Sequence, residues 1–427
     1  MKGGIVLNKK SIQMMSVGVA LCTVLTGCGN SKEPAAETPT IQEEVVLPEI
    51  SAPTIRNDSE EIKQENNQEN INSEKIETTT KPTKPAGNQR YGGSDYFYNK
   101  LTDREQKIYL AVEDSIINFK EDVIIPEMTK QELFGEYFKK IYLAAFNDNP
   151  QVFIQPKVVE LIENYDDGTM KIKFNFDPHW TASNIASGYS EIDKEVAKIK
   201  KKLDTLSSDY HKVLWLHQNL VKEIEYTHDY PWSSGMYGAL VKKQASCEGI
   251  TEAFQYILAL YDIETIGVVG TSGFETKNGG NHKWCMVKLD GEWYYFDVTW
   301  DIDKDLSMYL PFSYFAVDEK YMSIAHSPWY KDMLPKATAT KYNYYIYNNL
   351  TVDKYSKKAV IKAAQDSYKL TPGFITMRFS NPTELKKAFD GRDDWVGEAF
   401  QEIGLTKWRY WVTSNPELCI LEIGLLK

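Results

Sequence analysis

Residues 282–301 read HKWCMVKLDGEWYYFDVTWD, and the pairing of this stretch decides the fold. Two runs of alternating apolar residues flank Asp290-Gly291, a dipeptide that tolerates the positive φ angles of a two-residue hairpin turn. With those two residues as the loop, Leu289 faces Glu292, Trp284 faces Asp297, and His282 faces Thr299. His282 and Asp297 then lie on one face as diagonal neighbours, roughly 7 to 8 Å apart at the backbone, a gap that the two side chains bridge. A slip of one residue would send them to opposite faces. Trp284, beside Asp297, is placed to keep water from a His–Asp hydrogen bond, and Thr299 to shield it. Cys285 has the opposite strand parity to His282, so it packs in the core rather than serving as a rival nucleophile or a metal ligand with His282. A Cys285–Cys419 disulfide is a further arrangement that sequence leaves open.

Upstream, QASCEGITEAFQYILAL (244–260) carries Ile250, Phe254, Ile257, Leu258 and Tyr261 at the spacing of one buried helical face. Cys247 falls at the first turn, with Ser246 as N-cap. Unpaired amides and the helix dipole make that end electropositive, a setting that favours a thiolate. The same amides can hold the oxyanion of a tetrahedral intermediate. A thiolate nucleophile needs a base, and the base an orienting group. Helix and hairpin together deliver a thiol, an imidazole and a carboxylate. Taken singly, each has a bland structural reading: a small buried hydrophobe, or a polar residue on a strand.

Three stretches flank or include these elements: IEY (224–226), YGALVKKQASCEGITEAF (237–254) and the later YFAVD (314–318). With the hairpin they resemble the transglutaminase-like core family of the papain-like cysteine enzyme superfamily. The resemblance implies an α+β core, with a Cys-bearing helix packed on an antiparallel sheet that bears His and Asp. It places the catalytic residues on Cys247, His282 and Asp297, acting as nucleophile, proton shuttle and orienter on an amide carbonyl. One departure is Lys283, where the family favours a small residue; the hairpin pairing points it away from the triad. Trp232, Tyr237 and Trp284 are candidates for a substrate groove. His211 and His217, in a helix, and His228, in a loop, read as structural.

The rest of the chain sets the context. Its 427 residues leave room for several domains, and a net charge of −11 argues against nucleic acid as a partner. Five cysteines are too few for a disulfide scaffold in a chain this long. A basic head (Lys2, Lys9, Lys10) and a short apolar run end at Leu25-Thr26-Gly27-Cys28, which resembles a lipobox. The expectation is a lipoprotein signal peptide over 1–27, lipidation of Cys28, and anchoring on the extracytoplasmic face of the membrane. Residues 29–90 hold no aromatic residue and are rich in polar residues, so 28–91 reads as a disordered tether. Small domains are expected on either side of the core: α+β over 92–190 and α/β over 336–427, with the transglutaminase-like domain over 191–335. Thr102/Glu105 and Thr129/Glu132 have capping-box spacing, the latter opening a helix that stops before Asn149-Pro150. YNYYIYNN and WRYW read as strands, or as aromatic surfaces for glycan. Metal-ligand spacing is absent and no cofactor is implied.

The function expected is a cysteine-dependent acyl transferase or hydrolase acting on peptide or isopeptide bonds, with a peptide or protein substrate at the cell surface or wall. The contrasting expectation is a surface binding or scaffolding lipoprotein that keeps the fold without turnover.

Overall fold

The computed structural model describes residues 54–56, 93–156, 158–274, 280–302 and 312–426. The signal peptide, Cys28 and most of the tether lie outside the described residues. Residues 54–56, inside the expected tether, instead form a short strand, β1 (Thr54–Arg56), parallel to β3 (Val158–Asn164). The remaining members of this sheet are β2 (Asp122–Ile125) and β4 (Met170–Asn175), giving the order β1-β3-β4-β2. Strand β4 alternates as its sequence does: Met170, Ile172 and Phe174 are buried. The β3–β4 turn falls at Asp167-Gly168, with Gly168 at φ +83°.

Helix α1 (Asp103–Asn118) starts with the Thr102/Glu105 capping box, and α2 (Lys130–Leu133) with the Thr129/Glu132 box. The second does not open one long helix. Gly135 adopts an extended conformation and restarts the chain as α3 (Glu136–Asp148). Helix α4 (Ala182–Leu203) crosses residue 190, where a domain boundary was expected, and α5 (Asp209–Glu223) follows it. The buried side chains of α1, α3, β4, α4 and α5 join those of the following sheet in one hydrophobic core. By packing, therefore, the N-terminal unit and the central unit are continuous.

The central unit adds β5 (Glu225–Tyr226) paired in parallel with β6 (Gln244–Ala245), and helix α6 (Cys247–Ala259). Strands β7 (Thr265–Ser272), β8 (Gly280–Leu289) and β9 (Glu292–Phe296), helix α7 (Glu319–Met322) and strand β10 (His326–Pro328) complete it, with sheet order β10-β7-β8-β9. Asp290 and Gly291 both take positive φ, at 50° and 83°, as a tight hairpin requires. Helix α6 lies on this sheet and is buried almost all round, Phe254 packing 5.8 Å from Phe296. Each such fully buried side chain contributes about 1.5–3 kcal/mol of transfer free energy.

Residues 344–347 form α8 (Tyr344–Tyr347), a helical turn where tyrosine-rich composition suggested a strand. Beyond it a separate core forms around β11 (Thr351–Val352), α9 (Lys357–Leu370), β12 (Phe374–Phe379), α10 (Pro382–Asp390), α11 (Arg392–Glu402), β13 (Arg409–Asn415) and β14 (Ile420–Leu426). Among the described residues no helix is long and apolar enough to cross a membrane.

Candidate active site

The register of β8 and β9 runs from Leu289↔Glu292 to Cys285↔Phe296. Continued by one residue it sets Trp284 opposite Asp297, but the ladder stops there. The chain turns after Asp297, so Thr299 sits in a turn and does not face His282 across a strand pair, as the sequence suggested. That departure frees the carboxylate to fold back. Asp297 Oδ1 accepts the Trp300 backbone N–H at 3.0 Å, and Oδ2 accepts from His282 Nε2 at 2.7 Å.

With Nε2 on the carboxylate, Nδ1 of His282 is left for the thiol, and the ring hydrogen-bonds to Cys247. Sequence-distant Cys247, His282 and Asp297 are thus joined through the imidazole, the sulfur delivered by the first residue of α6. Ser246 holds the N-cap position, yet its hydroxyl donates to the Ser233 carbonyl at 3.3 Å and leaves the first-turn amides uncapped by a side chain. Those amides stand beside the sulfur, where an oxyanion would develop. Gly249 is needed here: a Cβ would lie 2.5 Å from the Ser233 carbonyl oxygen and 2.6 Å from that of Gly235.

Electrostatics follow from this geometry. Burial by itself presses the His282 imidazolium toward deprotonation, but the Asp297 carboxylate and Cys247 outweigh it and raise the ring to about 10. Burial would raise Asp297; the two imidazoles on it, His282 foremost, hold its carboxyl well below the usual range instead. The whole group is enclosed. Cys247 is 1% exposed, His282 5% and Asp297 1%.

Lys283 points away from the triad. Its Nζ pairs with Glu252 Oε1 at 3.0 Å, deep in the core, and Thr251 donates to its carbonyl at 3.1 Å. Helix and strand are therefore tied directly behind the Cys–His contact. Burial raises Glu252 to about 7 despite that lysine. Cys285 is a buried free thiol, pushed up by burial, and Cys419 is free as well; the two form no disulfide.

The groove candidates separate. Trp232 stacks on Tyr230 at 4.8 Å, and Tyr237 donates from its hydroxyl to Glu191 at 2.8 Å. Trp284 is 1% exposed and lies against the His282 ring at 5.8 Å, a wall of the imidazole and not an open surface. His217 is buried against Asp301 at 3.0 Å.

Two residues at the site were given no role from sequence. The hydroxyl of Tyr226 bonds to Cys247; its IEY segment carried the family likeness, but nothing local aims the ring at the sulfur. His326, on β10, donates from Nε2 to Asp297 Oδ2 at 2.8 Å. Its signal was its rarity, as one of six histidines in the chain. His282, Asp297 and His326 bring three metal-ligating atoms within 4.8 Å. Their contacts of 2.7 and 2.8 Å are hydrogen bonds, shorter than the ~3.3 Å between neighbouring ligands of a tetrahedral ion with ~2.0 Å bonds.

Comparison with known proteins adds the following. The Transglutaminase-like superfamily profile matches residues 197–298. No curated protein sequence matches the chain. Among solved structures, one described as a TGase has 14% identity and a TM-score of 0.25, covering 36% of this chain and 47% of its own. A "putative cysteine protease" from Cytophaga hutchinsonii has 16% identity and a TM-score of 0.23, covering 33% and 61%. A "putative protease" from Parabacteroides distasonis has 11% identity and a TM-score of 0.20, covering 32% and 35%. The chain thus spans roughly a third to three fifths of these proteins' lengths, and at such TM-scores the likenesses carry nothing about substrate or reaction. Residues 197–298, which hold Cys247, His282 and Asp297 and end just past the hairpin, belong to the transglutaminase-like superfamily.

Proposed function

We propose that this protein is a cysteine-dependent acyl transferase or hydrolase acting on peptide or isopeptide amide bonds, anchored through Cys28 on the extracytoplasmic face of the membrane. The observation that carries the reading is the hydrogen-bonded run from Cys247 through His282 to Asp297, starting at a helix N-terminus. In the reaction, His282 already holds the proton it shares with Cys247, and Sγ bonds to the amide carbon as the thiolate. The carbonyl electrons move to oxygen, held by first-turn amides of α6. As that oxyanion collapses, the C–N bond breaks and the proton passes from His282 to the leaving amine. The resulting thioester is resolved by water, giving hydrolysis, or by a lysine-like amine, giving transamidation; His282 accepts the nucleophile's proton and Sγ leaves as the thiolate beside it.

Alkylation of the purified chain with iodoacetamide across pH tests this. Cys247 is expected to react rapidly well below pH 8, and His282→Ala to slow it. A thiol that reacts only in alkaline solution, with no effect of that substitution, contradicts the reading. The second reading, a binding or scaffolding protein without turnover, draws on the 1% exposure of Cys247. Under it, the thiol stays unreactive at every pH at which the chain remains folded.

A further inference from the structure

We infer that His326 is a positioning residue of the Cys247–His282–Asp297 relay: its Nε2–H, 2.8 Å from Asp297 Oδ2, fixes the carboxylate and shares the oxygen that His282 uses. The inference rests on the reading of that relay as catalytic.

The fold goes to some length to bring His326 there. Strand β10 pairs with β7, setting His326 opposite Ser272 and Pro328 opposite Gly270. A Cβ at Gly270 would lie 2.2 Å from the Ser327 carbonyl oxygen and 2.7 Å from Trp284, so only glycine lets β10 approach this closely. Once in place the His326 ring is boxed by Trp284 at 5.0 Å, Trp300 at 4.7 Å and Tyr314 at 5.0 Å, and its side chain has no exposure. A buried imidazole aimed at a buried carboxylate is not a surface accident.

The physical effect is on the carboxylate. The Trp300 backbone N–H holds Oδ1, and two imidazoles hold Oδ2. Three donors from three directions leave the carboxylate no free rotation, so the bond to His282 keeps one geometry. The charged and titratable groups facing His326 are Asp297 and His282, Tyr314 beside the ring, and Glu319 and Lys331 across the adjoining cavity. Burial lowers the affinity of His326 for a second proton, and His282 opposes it further, so His326 serves as a neutral donor. The cavity, of about 260 Å³, is bordered also by Trp284, Tyr295, Met322 and Pro328, and gives a substituted side chain room to settle.

The test uses the full chain and two readouts, iodoacetamide alkylation of Cys247 and nitrogen-15 spectra of the histidines. In the parent, His326 is expected as the Nε2–H tautomer. Nδ1 of His326 has no hydrogen-bond partner among the described residues, as befits an unprotonated nitrogen; an Nδ1–H tautomer, with Nε2 bare, would overturn the inference. His326→Gln places an amide N–H where Nε2–H was and is expected to keep the parent alkylation rate. His326→Asn is polar but too short, and His326→Leu cannot donate. Both are expected to slow alkylation about tenfold, the size of one hydrogen bond to a charged group, as the carboxylate loses its fixed aim at His282, and to move the His282 titration downward. Equal rates and equal His282 titration in parent, Gln and Asn variants overturn the inference while leaving the catalytic reading intact. An unactivated Cys247 in the parent removes both. Should the Leu variant fail to fold, the Gln/Asn contrast and the parent tautomer decide.

Discussion

Asp297 and Asp301 leave the same turn, and each meets a histidine, yet the two pairs hold their protons differently. His282 and Asp297, 2.7 Å apart, are charged: the ring is raised to about 10 and the carboxyl is held low. His217 and Asp301, 3.0 Å apart with no exposure on either side chain, are pressed by burial toward their neutral forms. Burial lowers His217 to about 3, and burial with the nearby charge of Asp297 pushes the Asp301 carboxyl well up. In the second pair one proton lies between Asp301 Oδ2 and His217 Nε2. The lesson is that a His–Asp contact is not by itself a charge relay. Asp301 also accepts a backbone N–H, from Tyr314 at 3.2 Å, so what separates the two is the second imidazole, His326, on Asp297 and Cys247 on the far side of His282. One negative charge placed there makes a second, at Asp301, unfavourable.

This contrast can be broken at several points. The largest effect is at the sulfur: Cys247→Ala should abolish labelling at this position. His282→Ala should slow alkylation at pH 6 by about a hundredfold, the lower range for loss of a general base. Next come the two aspartates. Asp297→Asn removes the charge and should drop the His282 titration from about 10 toward ~6.5, with a loss of alkylation rate of about a hundredfold. Asp301→Asn replaces a neutral acid by a neutral amide that still donates to His217. It should leave the rate unchanged and cost no more than ~1 kcal/mol in denaturant unfolding at pH 7. A cost of ~3 kcal/mol or more would mean that the second pair is also ionic.

The same variant sharpens the comparison through pH. Folded, the neutral His217–Asp301 pair holds one proton. Unfolded, it also holds one between ~pH 4 and ~6.5, so it gives no slope in that window. In Asp301→Asn the folded ring stays unprotonated down to about 3, whereas the unfolded ring binds a proton below ~6.5. Stability should then fall with falling pH by ~1.4 kcal/mol per unit. The first pair has a different signature. The contribution from His282 is complete below ~6.5 and is lost as pH rises through about 10, while that from Asp297 is complete above ~4 and is lost in strong acid. The smallest effect is at Cys285: Cys285→Ala should leave the alkylation rate of Cys247 unchanged and cost ~1 kcal/mol for a lost buried sulfur.

What sequence made legible was whatever repeats locally. The period of two around Asp290-Gly291 fixed the β8–β9 register as far as Cys285↔Phe296, and the helical spacing of Ile250, Phe254 and Ile257 fixed α6. Both capping boxes were readable because their partners are three residues apart. Failures came where a distant contact or a single backbone angle decides. The ladder ends after Phe296 because Tyr295 bridges to Val317, and the Asp297 N–H turns to the Tyr314 carbonyl. Gly135 breaks a helix that its neighbours would continue. Tyr344 to Tyr347 have the composition of a strand, but Tyr345 is wholly buried, and the helical turn closes through Leu350 onto the Tyr345 carbonyl. His326 reaches Asp297 across 29 residues of chain, and no periodicity records that meeting.

The 1% exposure of Cys247 has a chemical corollary. Peroxide and stray disulfides attack a thiolate only where they can touch it, so at rest this sulfur is guarded against overoxidation by the protein itself. The same seal means that no acyl group reaches it until the chain around it moves aside. Reactivity here is a matter of opening frequency, and a bulky maleimide should lag a small haloacetamide by the difference in the openings they need.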